Sequence, residues 1–158
     1  LSETSRYDDE YLFDNIRPID AKNRTIFFAD DSSVARKQIS RTLDVMGIRH
    51  LSANNGRQAW DELQKIAAQA DAARVPVTHF IQLILTDVEM PEMDGYVLTK
   101  HVKNDPRFAG IPVIMHSSLS SEANRQLGRS VGVDDYVPKF EPHKLAATLT
   151  QLLSEPLE

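Results

Sequence analysis

From Thr25 onward the sequence alternates short, strongly apolar runs with longer stretches whose apolar residues recur at helical spacing, and nothing else in it constrains the fold as much. Runs at 25–29, 48–53, 80–86, 111–115 and 133–137 have the length of strands. Helix-period segments separate them, the pattern of a parallel sheet wrapped by helices, so the expected class is α/β. In the first helical segment Ala35, Ile39, Leu43 and Met46 share a face, Ser32 or Ser33 caps the start and Gly47 stops it. Asn54-Asn55-Gly56 reads as a turn into a second helix with Ala59, Trp60, Leu63, Ile66, Ala67 and Ala70 on its buried face. The stretch from Asp71 to His79 is longer than such connections usually are. The run at 80–86 is almost wholly apolar, as suits a central strand covered on both faces, and leads straight into Asp87. A third helix after Asp94-Gly95 closes near Asp105-Pro106, a fourth covers 121–130, and the last follows Pro142 to Leu153.

The chain has 158 residues, enough for one domain and a tail, with a net charge of -5 that disfavours a nonspecific grip on nucleic acid or anionic lipid. Cys is absent, which removes disulfides, thiolate metal sites and cysteine nucleophiles and sits most easily with a cytoplasmic protein. No apolar run is long enough for membrane insertion, and no signal segment opens the sequence. Residues 1–24 carry acids and bases without an apolar period and read as a linker or tail. Tyr7, Tyr11, Leu12, Phe13 and Ile16 offer an alternative, a short amphipathic turn that docks. The expected domain is 25–153, with 154–158 as a carboxyl-terminal tail. Because position 1 is Leu, the chain reads as a fragment or a processed product.

In an open α/β sheet the site forms at the carboxyl ends of the strands. The first expected strand delivers Asp30-Asp31, the third Asp87 and the fourth Ser117-Ser118, and the fifth leads to Lys139. Taken singly each residue has a plain reading: helix-start anions for Asp30 and Asp31, a turn aspartate for Asp87, a local cap for Ser117, a solvated lysine for Lys139. Together they describe a different object. Converging carboxylates repel one another, and a hard cation such as Mg²⁺ relieves that repulsion through oxygen ligands. With Lys139 as a point positive charge and Ser117 as a hydroxyl donor, Asp87 is placed to act as nucleophile towards a phosphoryl group.

Other chemistries are less well served. Neither GxxxxGK[ST] nor GxGxxG occurs. His116 stands beside Ser117, but neighbouring strand residues face opposite ways, which suits proton transfer poorly. His50, His79, His101, His116 and His143 show no metal-ligand spacing and are expected to be structural or exposed. Met90 and Met93 are expected to shape a loop near the site, with partner contact as the alternative.

These residues resemble the receiver domain of two-component response regulators. The likeness covers roughly 24–153 and rests on Asp30-Asp31, Asp87, the run Met90-Pro91-Glu92-Met93-Asp94-Gly95, Ser117 and Lys139. It implies a doubly wound five-stranded parallel sheet in the order 2-1-3-4-5 with five helices, the flavodoxin or CheY-like fold. By the same resemblance Asp31 would bind Mg²⁺ directly, Asp30 largely through water, Asp87 as ligand and phosphoacceptor, and Glu89 through its backbone carbonyl. Ser117 and Tyr136 would be the switch residues coupling the site to the face of the fourth helix, fifth strand and fifth helix.

One departure is Phe140, where the family usually places a cis-proline after the lysine, so the loop there must be built differently. Asp87 to Tyr96, Asn104 to Phe108, His116 to Ser120 and Lys139 to Pro142 are similar to the receivers of CheV-type chemotaxis coupling proteins. That likeness implies phosphotransfer from the histidine kinase CheA and contact with a chemoreceptor array through a CheW-like domain that these residues do not contain. It implies a signalling module that catalyses only its own phosphorylation and dephosphorylation, not a turnover enzyme. The alternatives are a stand-alone CheY-like regulator with another target and an Mg²⁺-dependent phosphohydrolase, for which the DxDx[TV] pattern is missing.

Overall fold

The computed structural model describes residues 13–20, 23–118 and 122–153. Five strands, β1 (Thr25–Ala29), β2 (Arg49–Ala53), β3 (Leu83–Thr86), β4 (Val113–Ser117) and β5 (Asp135–Pro138), form one sheet in the order β2-β1-β3-β4-β5. Every neighbouring pair is parallel. Between and after them run α1 (Ser33–Met46), α2 (Gly56–Ala73), α3 (Gly95–Asn104), α4 (Glu122–Val131) and α5 (Pro142–Leu153). This is the doubly wound α/β fold that the alternating pattern implies.

Side-chain alternation along the strands splits the core in two. Ile26 and Phe28 of β1, Leu83 and Leu85 of β3, Ile114 of β4 and Val137 of β5 face α1 and α5, where they meet Ile39, Leu43, Leu145 and Leu149. Phe27, Ile84 and Val113 face the other way, against Ala59, Leu63, Leu98 and Val102. Because β1 and β3 are buried on both faces, they read in sequence as continuous apolar runs.

Several element ends differ from expectation, each for a local reason. Strand β2 starts at Arg49, because the Ile48 N–H bonds Leu43 O and the Gly47 N–H bonds Asp44 O. Gly47 at φ 78 closes α1 in this way, which uses Ile48 in the cap. The same device, with Gly132 at φ 98, holds Val133 at the end of α4 and delays β5 to Asp135. Strand β3 is shorter than the apolar run, since Val77–His79 forms a 3-10 turn whose Val77 carbonyl accepts from Ile81. Strand β4 is shifted towards Ser117, because Ile111 bonds back to Phe108. Of the long connection after residue 71, α2 takes the part up to Ala73, Arg74 caps it at φ 58, and the 3-10 turn Val77–His79 takes the end.

Phe13 and Ile16 dock on the domain. Ile16 is buried, Ile19 donates its N–H to Met46 O at 3.0 Å, and the Arg41 guanidinium lies 4.4 Å from the Phe13 ring centre. The α1/α5 core therefore reaches back before Thr25. Tyr7, Tyr11, Leu12, Ser120, Ser121 and the tail at 154–158 lie outside the described residues.

Candidate functional site

The two backbone alternations that build the core also aim the site. Continuing the α1/α5-facing positions one step past each strand register gives Asp30 after Phe28, Asp87 after Leu85, His116 after Ile114 and Lys139 after Val137. These four side chains gather at the carboxyl edge of the sheet. Lys139 Nζ lies 3.1 Å from Asp30 Oδ2 and 3.2 Å from Asp87 Oδ2, and His116 Nδ1 lies 3.9 Å from Asp30 Oδ2. Asp31 is exposed, yet one of its carboxylate oxygens falls within 4.8 Å of those of Asp30 and Asp87.

Local bonds hold the carboxylates in place. Asp30 Oδ1 accepts the Ser32 N–H at 2.9 Å, and Ser32 in turn caps α1 by accepting from Ala35 N. Asp87 Oδ1 accepts the Val88 N–H at 2.8 Å. Asp94 caps α3 through the Val97 N–H at 2.9 Å, and Gly95 lets that helix sit on the backbone behind Asp87. A methyl group at Gly95 would come within 2.0 Å of the Asp87 carbonyl oxygen. The glycine is thus required by close approach, not by its φ angle.

Asp30 is fully buried and Asp87 nearly so. Burial pushes the Asp87 carboxyl up to about 7, the neighbouring Asp30 adds to the rise, and Lys139 opposes it. Asp30 is likewise raised by burial, against the Ser32 N–H and Lys139. Burial alone would depress Lys139, but Asp30 and Asp87 beside it hold it above the ordinary lysine value. His116 is pushed down to about 4 by burial and by the charge of Lys139, so it is a neutral imidazole at physiological pH. One ammonium faces three carboxyl groups, and the edge is short of positive charge.

That shortage is the test for a metal. The donors are all hard oxygens, and Asp30 Oδ2 is a buried oxygen with no hydrogen bond of acceptable geometry among the described residues. This set suits a hard divalent ion such as Mg²⁺ and would suit a soft one poorly. Asp31 and Glu89 line an adjoining open cleft of about 620 Å³ with Pro91, Asp94 and Tyr96, through which the cluster meets solvent. A larger groove of about 710 Å³ lies at the opposite end of the sheet, by Gly47, His50 and His79, far from these carboxylates.

The remaining expected residues are distributed as follows. Ser117 ends β4, is buried, and accepts the Lys139 N–H at its carbonyl at 3.0 Å, fixing the lysine's backbone. Tyr136 is half-buried on β5, with the Arg125 guanidinium 5.1 Å from its ring centre. Phe140 adopts φ 62, an unusual conformation for a bulky residue, and lies half-exposed with its ring 5.6 Å from Lys139 Nζ. Met90 is buried in the α2/α3 core and Met93 packs against it.

Two residues at the site were not legible as such. His116, expected to be structural or exposed, stands in the wall of the carboxylate cluster; counting alternate positions back from the end of the fourth strand is the signal that would have found it. Tyr96 opens α3 and donates its hydroxyl to Asn124 O in α4 at 3.2 Å. Burial and its hydrogen bond to Tyr136 raise the Tyr96 phenol above its usual value. It thereby ties the loop after Asp87 to α4 and β5.

A doubly wound parallel sheet with an acidic cluster and one lysine at its carboxyl edge defines a class of phosphate-handling α/β modules. Residues 26–150 match the response regulator receiver domain, and the chain belongs to that family. Its curated relatives include Chemotaxis protein CheV1 of Helicobacter pylori, 33% identical over 131 residues, covering 83% of this chain and 38% of that protein. Chemotaxis protein CheY1 of the same organism is 35% identical over 130 residues, covering 81% of this chain and 95% of the relative. Among solved structures, Vibrio cholerae chemotaxis protein CheY4 is similar with a TM-score of 0.65 and 30% identity, over 82% of this chain and 98% of that one. The chain spans about two fifths of the length of the CheV relatives. Receiver domains are signalling modules and not enzymes in the ordinary sense. No helix among the described residues is long and apolar enough to cross a membrane.

Proposed function

We propose that this receiver takes a phosphoryl group on Asp87 from the phosphohistidine of a histidine kinase of the CheA kind, and that it serves a chemotaxis coupling protein of the CheV type. The observation that carries the reading is the meeting of Asp30, Asp87 and Lys139 within 3.2 Å at the carboxyl edge of the sheet, with Asp31 beside them. In the transfer one carboxylate oxygen of Asp87 attacks phosphorus. The phosphorus–nitrogen bond breaks, and the kinase imidazole leaves with its electron pair. Asp30, Asp31, Asp87 and the Glu89 carbonyl would hold Mg²⁺, which when bound neutralises carboxylate and phosphoryl charge. Lys139 turns to the phosphoryl oxygens as a point charge, and the Ser117 hydroxyl is the further donor. Tyr136, with Tyr96 bonded to it, relays the change to α4, β5 and α5.

In this reading residues 25–153 are the receiver, 1–24 connect it to a CheW-like domain that reaches the chemoreceptor array, and 154–158 are a tail. The protein works in the cytoplasm, and its only catalysis is its own phosphorylation and dephosphorylation. The likeness to CheY1 over 95% of that relative favours a second reading, a stand-alone regulator with a different target. A CheW-like domain in the parent reading frame would decide between them.

The test is phosphotransfer. With Mg²⁺ and either acetyl phosphate or a phosphorylated histidine kinase, the chain should gain one phosphoryl group and Asp87→Asn none. Labelling of Asp87→Asn would move the acceptor elsewhere. Continuous turnover of a small phosphoester without a phosphoprotein would favour a hydrolase.

A further inference from the structure

The receiver reading leaves one buried side chain of the site without a task. His116 is 4% exposed on β4, on the same face of the sheet as Asp30, Asp87 and Lys139. Its Nδ1 is 3.9 Å from Asp30 Oδ2, beyond hydrogen-bond distance. Lys139 Nζ donates to Asp30 Oδ1 at 3.2 Å and stands 3.1 Å from Oδ2 as its ion-pair partner, and that ammonium is shared with Asp87 at 3.2 Å.

Phosphorylation of Asp87 breaks this sharing. A phosphoryl group brings close to two negative charges and three acceptor oxygens, and the ammonium that bridges the two carboxylates is drawn to it. Asp30 Oδ2 is buried and has no hydrogen bond of its own among the described residues, so when Lys139 leaves, the lone pair that does not face the metal ion or its water has no protein donor. The His116 imidazole stands beside it, and Nδ1, in the tautomer that carries its proton there, needs to close about 1 Å to reach ordinary N–H···O length.

We propose that His116 is a positioning residue of the phosphorylated state: it takes over Asp30 Oδ2 when Lys139 moves to the phosphoryl group, and so holds Asp30 in its ligating rotamer. The inference rests on Asp87 being the phosphoacceptor. It assigns His116 no role in the resting protein, where Lys139 already serves Asp30.

The side-chain geometry provides the test. The Asn amide nitrogen superposes on imidazole Nδ1, the Gln amide nitrogen on Nε2, and Leu offers no donor. Binding of beryllofluoride, a phosphoryl mimic, is measured by calorimetry at saturating Mg²⁺ for the wild type, His116→Asn, His116→Gln and His116→Leu. Affinity should fall about tenfold in His116→Gln and His116→Leu, the lower bound for one hydrogen bond to a charged group, and stay within about threefold of wild type in His116→Asn. Melting temperatures without Mg²⁺ or beryllofluoride should not follow that order, because a merely structural histidine would rank the variants alike in both states. Equal affinities throughout, or His116→Asn no better than His116→Gln, would overturn the proposal; that pair carries the test even if His116→Leu fails to fold. A wild type that takes up no beryllofluoride would instead strike at the phosphoacceptor reading itself.

Discussion

Lys139 Nζ lies 3.2 Å from Asp87 Oδ2, although 52 residues separate the two in the chain. Only the parallel packing of β3, β4 and β5 brings them together, so the pair ties the integrity of the sheet edge to its chemistry.

Removing the ammonium should expose the charge shortage of the edge. Lys139→Met leaves Asp30 and Asp87 buried without a cation. Breaking a buried ion pair from one side costs about 3–5 kcal/mol, so a melting temperature lowered by roughly 6–20 °C at pH 8 is expected. Millimolar Mg²⁺ should recover much of that loss by supplying the missing charge, and should shift the variant more than the wild type. Thermal melts with and without the ion decide it; a variant indifferent to Mg²⁺ would mean that the carboxylates do not form a cation site.

The raised Asp87 pKa makes a second prediction, for the metal-free protein. In the unfolded chain an aspartate titrates near 3.8, while in the fold burial and Asp30 push Asp87 up to about 7. Between those values the folded state binds the extra proton. Asp87 therefore contributes stability that is present below pH 4 and lost as the pH rises through 7. His116 acts oppositely: folded at about 4 and unfolded near 6.5, it contributes stability that grows with pH across that window. The two trends offset one another between about pH 4 and 6.5, so a wild-type profile alone is uninformative. The difference between Asp87→Asn and wild type isolates Asp87. The variant should match the wild type near pH 4 and exceed it by several degrees at pH 8, about 4 kcal/mol at most, since ~1.4 kcal/mol attaches to each pKa unit. A gap that does not widen with pH would show Asp87 ionised like an exposed carboxylate.

The strands and the carboxylate ends were legible because a parallel sheet buried on both faces leaves an unmistakable record: 25–29 and 80–86 are apolar throughout, and each runs directly into acid. The strand ends at Ile48, Phe80 and Val133 were not legible, because cap and turn hydrogen bonds recruit apolar residues that periodicity alone assigns to strands. His116 was missed for a related reason. An imidazole at the end of an apolar run has no spacing signature, and its burial against Asp30 depends on where β4 stops, which the run at 111–115 placed two residues early. The docking of Phe13 and Ile16 was open in the sequence, since two apolar residues in a charged segment do not specify a partner.

That docking is itself measurable. Ile16 is buried between α1 and α5, with Ile19 bonded to Met46 O. Ile16→Ala should lower stability by about 2–4 kcal/mol, the usual range for emptying a buried isoleucine site. Deleting residues 1–20 should cost at least as much. Urea denaturation reads both. A loss under about half a kcal/mol would mean that the segment does not stay on the core, since exposed positions typically lie within that range.

Gly95 links packing to chemistry most directly. A Cβ there would meet Asp87 O at 2.0 Å and Val88 Cα at 3.1 Å, both backbone atoms that cannot rotate away. Gly95→Ala must therefore displace either the start of α3 or the peptide that carries the phosphoacceptor. Overpacking of this kind costs about 1–3 kcal/mol, and a shift near 1 Å at a reacting group lowers rates on the order of a hundredfold. Gly47→Ala is the control: Gly47 has φ 78, and an added Cβ meets nothing within 4 Å. Its cost is conformational, about 1–2 kcal/mol, and it lies at the other end of α1 from Asp30. The two variants should thus lose similar stability, while only Gly95→Ala loses phosphoryl uptake from acetyl phosphate at a temperature where both remain folded. Equal uptake in the two would show that the backbone behind Asp87 yields without moving its carboxylate, and the helix α3 contact would then be a packing feature alone.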